Sequence, residues 1–231
     1  PPDPPIPPVN PDIPVTPSQP DKPALNTEDH VAYIIGYPED YETGEYTQDQ
    51  TRKPVKPQGN ITRAEVTTIF FRLLTDESRA AFWSQSNGYS DVRAASWYNN
   101  AVSTMTNAGI VTGYPDGSFR PNAPITRAEF ATIAARFSEV VYNGGNSFTD
   151  VPENHWAARY IALAEYLGWI NGYPDGSFKP DQAITRAEAM TLINRVLERA
   201  VEEEHMLPDM VKWPDNLPGA WYYEAVQEAT N

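Results

Sequence analysis

One five-residue sequence, Ile-Thr-Arg-Ala-Glu, occurs three times in this chain and constrains the fold more than any other feature. The three copies, called boxes here, span residues 61–65, 125–129 and 184–188. The Thr of each box is placed to cap a helix N-terminus, and the Glu three residues later is placed to accept from the backbone N–H of that Thr. Apolar residues follow each box at helical spacing. The sequence therefore predicts three amphipathic helices that begin at the boxes.

The arginine of each box has no role in capping. A cation in the first helical turn faces the positive end of the helix dipole, which costs roughly 0.3 to 1 kcal/mol at an exposed site. Beside free backbone N–H groups, however, an arginine is suited to bind an anion. The alternative is that it packs or forms ion pairs between repeats. The candidate anion-binding residues are Arg63, Arg127 and Arg186.

A turn precedes the second and third boxes, and it reads Gly-Tyr-Pro-Asp-Gly-Ser-Phe at 113–119 and 172–178. Pro presets φ and Gly accepts a positive φ, so Pro-Asp-Gly favours a tight turn. In the first copy the turn begins at Gly36, and a polar insertion centred on 41–53 separates it from its box. A basic residue followed by proline stands five positions before the Ile of every box. These second cations are Lys56, Arg120 and Lys179.

Another recurrent element lies between the boxes, at 89–97 and 148–156. It consists of an aromatic residue, then Asp-Val, then a Trp that leads into apolar residues at helical spacing. Gly109 and Gly168 are placed to end these helices. We expect the Trp to anchor the helix to the loop, with partial exposure to a sugar as the less favoured option.

The C-terminal segment 213–231 repeats the first half of such a unit and then stops. The positions that would complete it match Val31 to Ile35, near the other end of the chain. We therefore expect the two ends to meet, to build one repeat from two halves and to close a ring of three. About half of the 23 prolines lie in the first 23 positions and predict an extended polyproline II spacer there.

Composition excludes several classes of function. A net charge of −14 argues against nucleic acid and anionic membranes as partners, because both require a positive surface. The absence of cysteine excludes disulfides and thiolate chemistry. No run of 18 apolar residues exists, so we expect no membrane insertion. Because the first residue is Pro1, we interpret the chain as a processed or excised fragment.

The sequence also argues against a metal and against catalysis. The histidines, His30, His155 and His205, share neither a repeat position nor a metal-ligand spacing. A Pro-Asp-Gly turn, at Asp116 or Asp175, lacks the number of ligands that calcium takes. A glycosidase, the most plausible enzyme, would need two carboxylates across a cleft, and the repeated Glu is already used in capping. We expect no cofactor, no metal and no enzymatic activity.

These motifs together resemble the S-layer homology (SLH) family, over about residues 25–231. The resemblance implies a mainly α fold, a pseudo-threefold trimer within one chain in which helical repeats form a three-pronged spindle with ligand grooves between the prongs. The implied segments are a Pro-rich linker at 1–24, the second half of a repeat with its insertion at 25–74, full repeats at 88–140 and 147–200, and a completing half-repeat at 209–231.

The resemblance also implies a function. SLH domains are non-catalytic anchors that attach surface proteins and exoenzymes to the bacterial cell wall, usually through a pyruvylated secondary cell wall polysaccharide. The pyruvyl ketal supplies a carboxylate, which agrees with an anion site. Some family members in diderm bacteria bind modified peptidoglycan instead, and both this option and S-layer self-assembly stay open. An extracellular, wall-associated monomer is the implied state.

Further ligand-binding positions come from the resemblance and from the turn. The aspartates that start each repeat are Asp91, Asp150 and Asp215. The tryptophans are Trp97, Trp156 and Trp221. The turn contributes Gly113, Tyr114, Gly172 and Tyr173, with the tyrosines expected to stack on sugar, beside the second cations. Because the first box belongs to the split repeat, Arg63 is expected to contribute least of the three box arginines.

Overall fold

The computed structural model describes residues 22–28, 31–37, 53–199 and 206–231. Within these ranges the chain is mainly helical, and its only extended pairings are isolated bridges. The helices are α1 (Arg63–Leu73), α2 (Asp76–Phe82), α3 (Asn99–Asn107), α4 (Arg127–Phe137), α5 (Ala158–Tyr166), α6 (Arg186–Val196) and α7 (Tyr223–Thr230). None of these helices is long and apolar enough to cross a membrane. Most of the predicted linker and of the insertion lies outside the described residues.

The three predicted capping boxes are confirmed. α1, α4 and α6 each begin directly after the box Thr, whose side chain accepts from the backbone N–H of the box Glu. The Glu carboxylate accepts in return from the backbone N–H of the Thr. The predicted ends of the second helices are also confirmed, because Gly109 and Gly168 follow α3 and α5 with φ of 71° and 72°. The short helix α2, capped by Thr75, was not predicted.

The boxes contact one another through a closed cycle of backbone hydrogen bonds. The N–H of Ile125 donates to the carbonyl of Ile61 (3.0 Å), and that of Ile184 donates to Ile125 (3.1 Å). The N–H of Ile61 donates in turn to Ile184 (3.4 Å), so the first box contacts the last. All three isoleucines are fully buried. The boxes thus form a ring, while the spindle shape and the pseudo-threefold symmetry stay predictions.

Each box helix packs against the first helix of the following unit: α1 against α3, α4 against α5, and α6 against α7. The apolar stripe predicted for each box helix is buried or half-buried. Phe70 of α1 joins two box helices, because its ring centroid lies 5.2 Å from that of Phe137 and 5.8 Å from that of Phe130. Every repeat therefore depends on its neighbour for a core.

The described segment at 31–37 meets the C-terminal segment at 213–231. The backbone N–H groups of Tyr33 and Ile34 donate to the carbonyl of Ala229 at 3.0 and 3.1 Å. The indole N–H of buried Trp213 donates to Thr230, and the Trp213 ring lies against Gly36 at the start of the split turn. These contacts are those that a repeat built from two halves requires, although the repeat boundaries themselves stay predictions.

Trp213→Ala tests this closure. The substitution leaves a cavity between the two chain ends, and we expect it to lower the free energy of unfolding by about 3–5 kcal/mol in urea titrations. Trp221→Ala is the matched control, because Trp221 belongs to the same half-repeat but is largely exposed, and its effect should stay within about 0.5 kcal/mol. Equal effects of the two substitutions would contradict closure through Trp213.

Candidate binding grooves between repeats

The first turn of each box helix donates its backbone N–H groups to the next repeat. In α1, Arg63 N–H bonds to the carbonyl of Ala123 (3.0 Å) and Ala64 N–H to that of Pro121 (2.9 Å). The same pair of bonds occurs at α4 and α6, the latter to the loop before the first box. The predicted anion site at the helix N-terminus is therefore wrong, because neighbouring carbonyls already occupy its donors.

The box arginine also reaches into the next repeat. Arg63 donates from Nε to the carbonyl of Phe119 (2.8 Å) and from Nη2 to that of Thr112 (3.0 Å), and its Nη1 lies 2.9 Å from the carboxylate of Glu129. The equivalent contacts are Arg127 to Phe178, Asn171 and Glu188, and Arg186 to Val55 and Glu65. Each arginine thus binds the turn and the box Glu of the following repeat.

This geometry corrects the interpretation of the box arginines as anion-binding residues. Their side chains are only 7, 11 and 6% exposed for Arg63, Arg127 and Arg186. The alternative interpretation, ion pairing between repeats, describes their main contacts. Arg63 was expected to contribute least because its box belongs to the split repeat. Its side chain, however, contacts the second repeat, which is complete. It is Arg186 whose side chain reaches the split one.

The turn tyrosines lie between cations. In the second repeat, the Arg63 guanidinium carbon lies 4.8 Å from the centroid of the Tyr114 ring and that of Arg120 lies 3.9 Å from it. The Tyr114 hydroxyl donates to Glu129. Partial burial and then this hydrogen bond raise the pKa of Tyr114. Tyr173 is placed likewise beside Arg127 and Lys179. Within the protein, each ring therefore contacts a box arginine and a second cation.

The residues that carry the second cations have a strained backbone conformation. The start aspartates stabilise it by accepting hydrogen bonds from the backbone. Lys56, Arg120 and Lys179 have φ of 54°, 57° and 57°, in the left-handed region that side chains rarely adopt. In the second repeat the Asp91 carboxylate accepts from the backbone N–H groups of Phe119 and Arg120, both at 2.8 Å. Asp150 and Asp215 make the equivalent bonds. The aspartates thus position the turn rather than face the groove as predicted.

The turn glycines permit a close approach of the aromatic residue that opens each repeat. A Cβ at Gly113 would lie 2.4 Å from the Tyr89 ring, and one at Gly172 would lie 2.5 Å from the Phe148 ring. Distances below 3.0 Å are essentially never found for a real Cβ. These glycines are therefore required for packing.

The start tryptophans are exposed. Trp97, Trp156 and Trp221 are 66, 58 and 65% exposed, so the expectation that they anchor helix to loop is wrong. Each stands just before the first helix of a repeat, where the chain turns at the surface. Exposed aromatic rings are suited to stacking on sugar faces, which was the less favoured option.

Two of these tryptophans line grooves at the junctions between repeats. The larger groove, about 510 Å³, is lined by Arg63, Tyr114, Thr132, Arg136, Trp156 and Asp181, among others. A smaller one, about 160 Å³, is lined by the equivalent Arg127, Thr191, Arg195 and Trp221. Three successive segments contribute to each groove: a box arginine, the next box helix, and the Trp of the repeat after that.

Sequence reasoning missed the arginines at the far end of the box helices. Arg136 and Arg195 each stand nine positions after their box Arg, and Arg72 occupies the same place in α1. Arg136 donates to the carbonyl of Ile110 (2.9 Å) and lines the larger groove. The recurrence of an arginine nine positions after each box Arg could have indicated a binding role. A cation in the last turn of a helix is, however, also favoured by the helix dipole.

The described residues contain no cluster of three His, Asp or Glu side chains that could hold a metal. His155 Nδ1 accepts from the backbone N–H of Ala157, whereas His30 and His205 lie outside the described residues. The carboxylate of Asp116 accepts from the Ser118 hydroxyl and backbone and pairs with Arg120. The Ser118 hydroxyl, followed by Arg120, holds the pKa of Asp116 well below its usual range.

Arg63→Met tests the clamp between repeats. It removes the cation that pairs with Glu129 and the donor of two carbonyls, so we expect the free energy of unfolding to fall by about 3–5 kcal/mol. The control is Arg93→Met, which removes the same charge from an exposed position and should change stability by less than about 0.5 kcal/mol. A loss below about 1 kcal/mol for Arg63→Met would contradict a structural clamp.

Gly113→Ala tests the aromatic approach. Its methyl group would overlap the Tyr89 ring, and we expect a loss of about 1–3 kcal/mol in unfolding free energy. Gly88→Ala introduces the same methyl group where no atom lies within 4 Å and should be tolerated. If thermal unfolding of the two variants were identical, the packing explanation of Gly113 would be wrong.

Comparison with known proteins agrees with this architecture. The model of the S-layer homology domain matches residues 88–131 and 147–190. Cell surface glycoprotein 1 of Acetivibrio thermocellus is 40% identical over 74% of this chain and 7% of its own length. The cellulosome-anchoring protein of the same organism is 35% identical over 87% of this chain and 42% of its own. The exoglucanase XynX of Acetivibrio thermocellus is 36% identical over 66% of this chain and 14% of its own length.

The chain thus spans less than half the length of these relatives. The matched repeats contain two of the three boxes, both Pro-Asp-Gly turns and two of the three exposed start tryptophans. Through these two repeats the chain belongs to the S-layer homology family.

Proposed function

We propose that this chain is a cell-surface module that anchors a larger protein non-covalently to the bacterial cell wall by binding wall glycan in the grooves between its repeats. The observation that carries the proposal is Trp156, which is 58% exposed and lies at the edge of a groove of about 510 Å³. A flat apolar ring beside hydroxyl, guanidinium and carboxylate groups matches the alternating apolar and polar surface of a sugar.

The groove chemistry favours an acidic glycan. Arg63 is already paired with Glu129, so its charge is largely used within the protein. Arg136 lines the same groove and forms no ion pair with a carboxylate of the described residues. In a chain of net charge −14, such a cation is a local site for a negative group. A pyruvylated secondary cell wall polysaccharide has the required carboxylate.

The named relatives support anchoring rather than catalysis. The segment shared with each relative covers most of this chain. One relative is named for cellulosome anchoring, however, and another is named an exoglucanase. It covers only 14% of the exoglucanase, which leaves most of that enzyme outside the match. A segment common to proteins of such different activities is best explained as a common attachment device.

Repetition of the groove adds to the affinity. A second groove lies beside Arg127 and Trp221, and the third junction holds Arg186 and Trp97 in the same sequence positions. When one glycan chain occupies two sites, the second binding event is intramolecular and overall affinity rises well above that of either site. A monomer with several grooves can therefore hold a surface protein without a covalent link.

Trp156→Ala tests the proposal in a sedimentation assay with purified Acetivibrio thermocellus walls. We expect binding to weaken about tenfold, equivalent to about 1.4 kcal/mol, with thermal unfolding unchanged because the ring is exposed. Trp83→Ala, an exposed Trp that lines neither described groove, is the control.

The same assay distinguishes the alternatives. Binding that survives removal of the polysaccharide from the walls would indicate peptidoglycan as the ligand. Association detected by light scattering in the absence of any glycan would indicate a self-assembly module. Equal binding of Trp156→Ala and the unsubstituted chain would contradict the groove as the binding site.

A further inference from the structure

The grooves differ at one position of the helix that follows the exposed tryptophan. Three residues after Trp156 stands Arg159, whereas Asn100 and Glu224 occupy the same place after Trp97 and Trp221. Four residues after Trp156 stands Tyr160, where the other two repeats have alanine. Both side chains belong to the first turn of α5, which begins directly after the turn that contains Trp156.

Arg159 and Arg136 converge on Tyr160. The guanidinium carbon of Arg159 lies 4.4 Å from the centroid of the Tyr160 ring, and that of Arg136 lies 5.3 Å from it. Arg159 also donates from Nη2 to the Tyr160 hydroxyl. Two guanidinium groups from different helices, α4 and α5, are thus held around one ring at the junction where the larger groove lies.

Neither arginine has a carboxylate partner among the described residues. Arg136 donates one hydrogen bond, from Nη1 to the carbonyl of Ile110, and the Arg159 side chain is exposed. Burial raises the pKa of Tyr160, but the hydrogen bond from Arg159 and the positive charge of Arg136 outweigh it and lower this pKa overall. The site therefore stabilises added negative charge.

Acidic groups are nearby but serve other contacts or other parts of the groove. Glu129 pairs with Arg63, and Asp181 lines the groove from the loop before the third box. Beside the smaller groove the charge is opposite, because the residue that matches Arg159 is the acidic Glu224. The residue that matches Tyr160 there is the buried Ala225. The contrast is specific to one junction of the ring.

We propose that Arg159 joins Arg136 in an anion subsite beside the larger groove, and that this pair binds the acidic group of the wall glycan, a carboxylate or a phosphate. This subsite makes the junction at Trp156 the strongest of the three binding sites. The inference rests on the proposed function for the identity of the glycan, but the anion site itself does not.

The test is a calorimetric titration with polysaccharide released from Acetivibrio thermocellus walls. Three forms are used: untreated, with carboxylates blocked by carbodiimide coupling to methylamine, and with phosphates removed by hydrofluoric acid. Arg159→Asn, the residue found at the matched position in α3, should weaken binding of the untreated form about fivefold. It should also reduce the dependence of affinity on salt. Arg93→Asn is the charge-matched control and should have neither effect.

The treated forms identify the acidic group. The treatment that abolishes the difference between the unsubstituted chain and Arg159→Asn has removed the group that Arg136 and Arg159 bind. If all forms bind Arg159→Asn and the unsubstituted chain equally, the subsite is wrong while the groove proposal stands. If no form binds and Trp156→Ala has no effect, the proposed function has failed.

A second measurement decides the anion site even in that case. Inorganic phosphate and pyruvate are titrated while the Nε–H resonances of the arginines are followed by NMR. A saturable shift at Arg136 and Arg159, without one at Arg93, supports the subsite. Shifts that are equal at all exposed arginines would overturn it.

Discussion

The fold depends on three backbone hydrogen bonds among buried isoleucines. Each box Ile donates to one neighbour and accepts from the other, so the three boxes hold one another in a cycle without an end. Because the box helices start from this cycle, each helix N-terminus faces the loop of the next repeat, and its free N–H groups find carbonyl acceptors there. The same residues therefore both begin the box helices and join the repeats.

The buried arginines follow from the same arrangement. A guanidinium removed from water needs acceptors for most of its donors. The neighbouring turn supplies two carbonyls to Arg63, while Glu129 supplies a charge. The box Glu thereby caps its own helix and receives the arginine of the preceding repeat. This double use explains why Arg and Glu occur together in every box, and it leaves the groove surface to the exposed tryptophans and the second arginines.

Local features could be predicted from the sequence, and contacts across the ring could not. Capping boxes, the glycines that end α3 and α5, and the positive φ of Gly117 and Gly176 depend on neighbours within a few residues. The meeting of the chain ends followed from the repeat spacing. The direction of Arg63 did not, because its carbonyl acceptors lie 49 and 56 residues away. Trp156 was misjudged because an aromatic residue after Asp-Val is as compatible with a core as with a surface.

The split repeat has a mechanical consequence. A module that tethers another protein is pulled, and a force applied ahead of residue 22 first reaches the hydrogen bonds that join Ala24 to Thr75 and Asn26 to Leu73. Next along the chain, Tyr33 and Ile34 are held by their bonds to Ala229 and by the buried Tyr33 hydroxyl, which donates to Asn194. The isoleucine cycle comes later in the chain, from Ile61 onward. Unravelling from this side would therefore break both sets of contacts before it reaches Ile61.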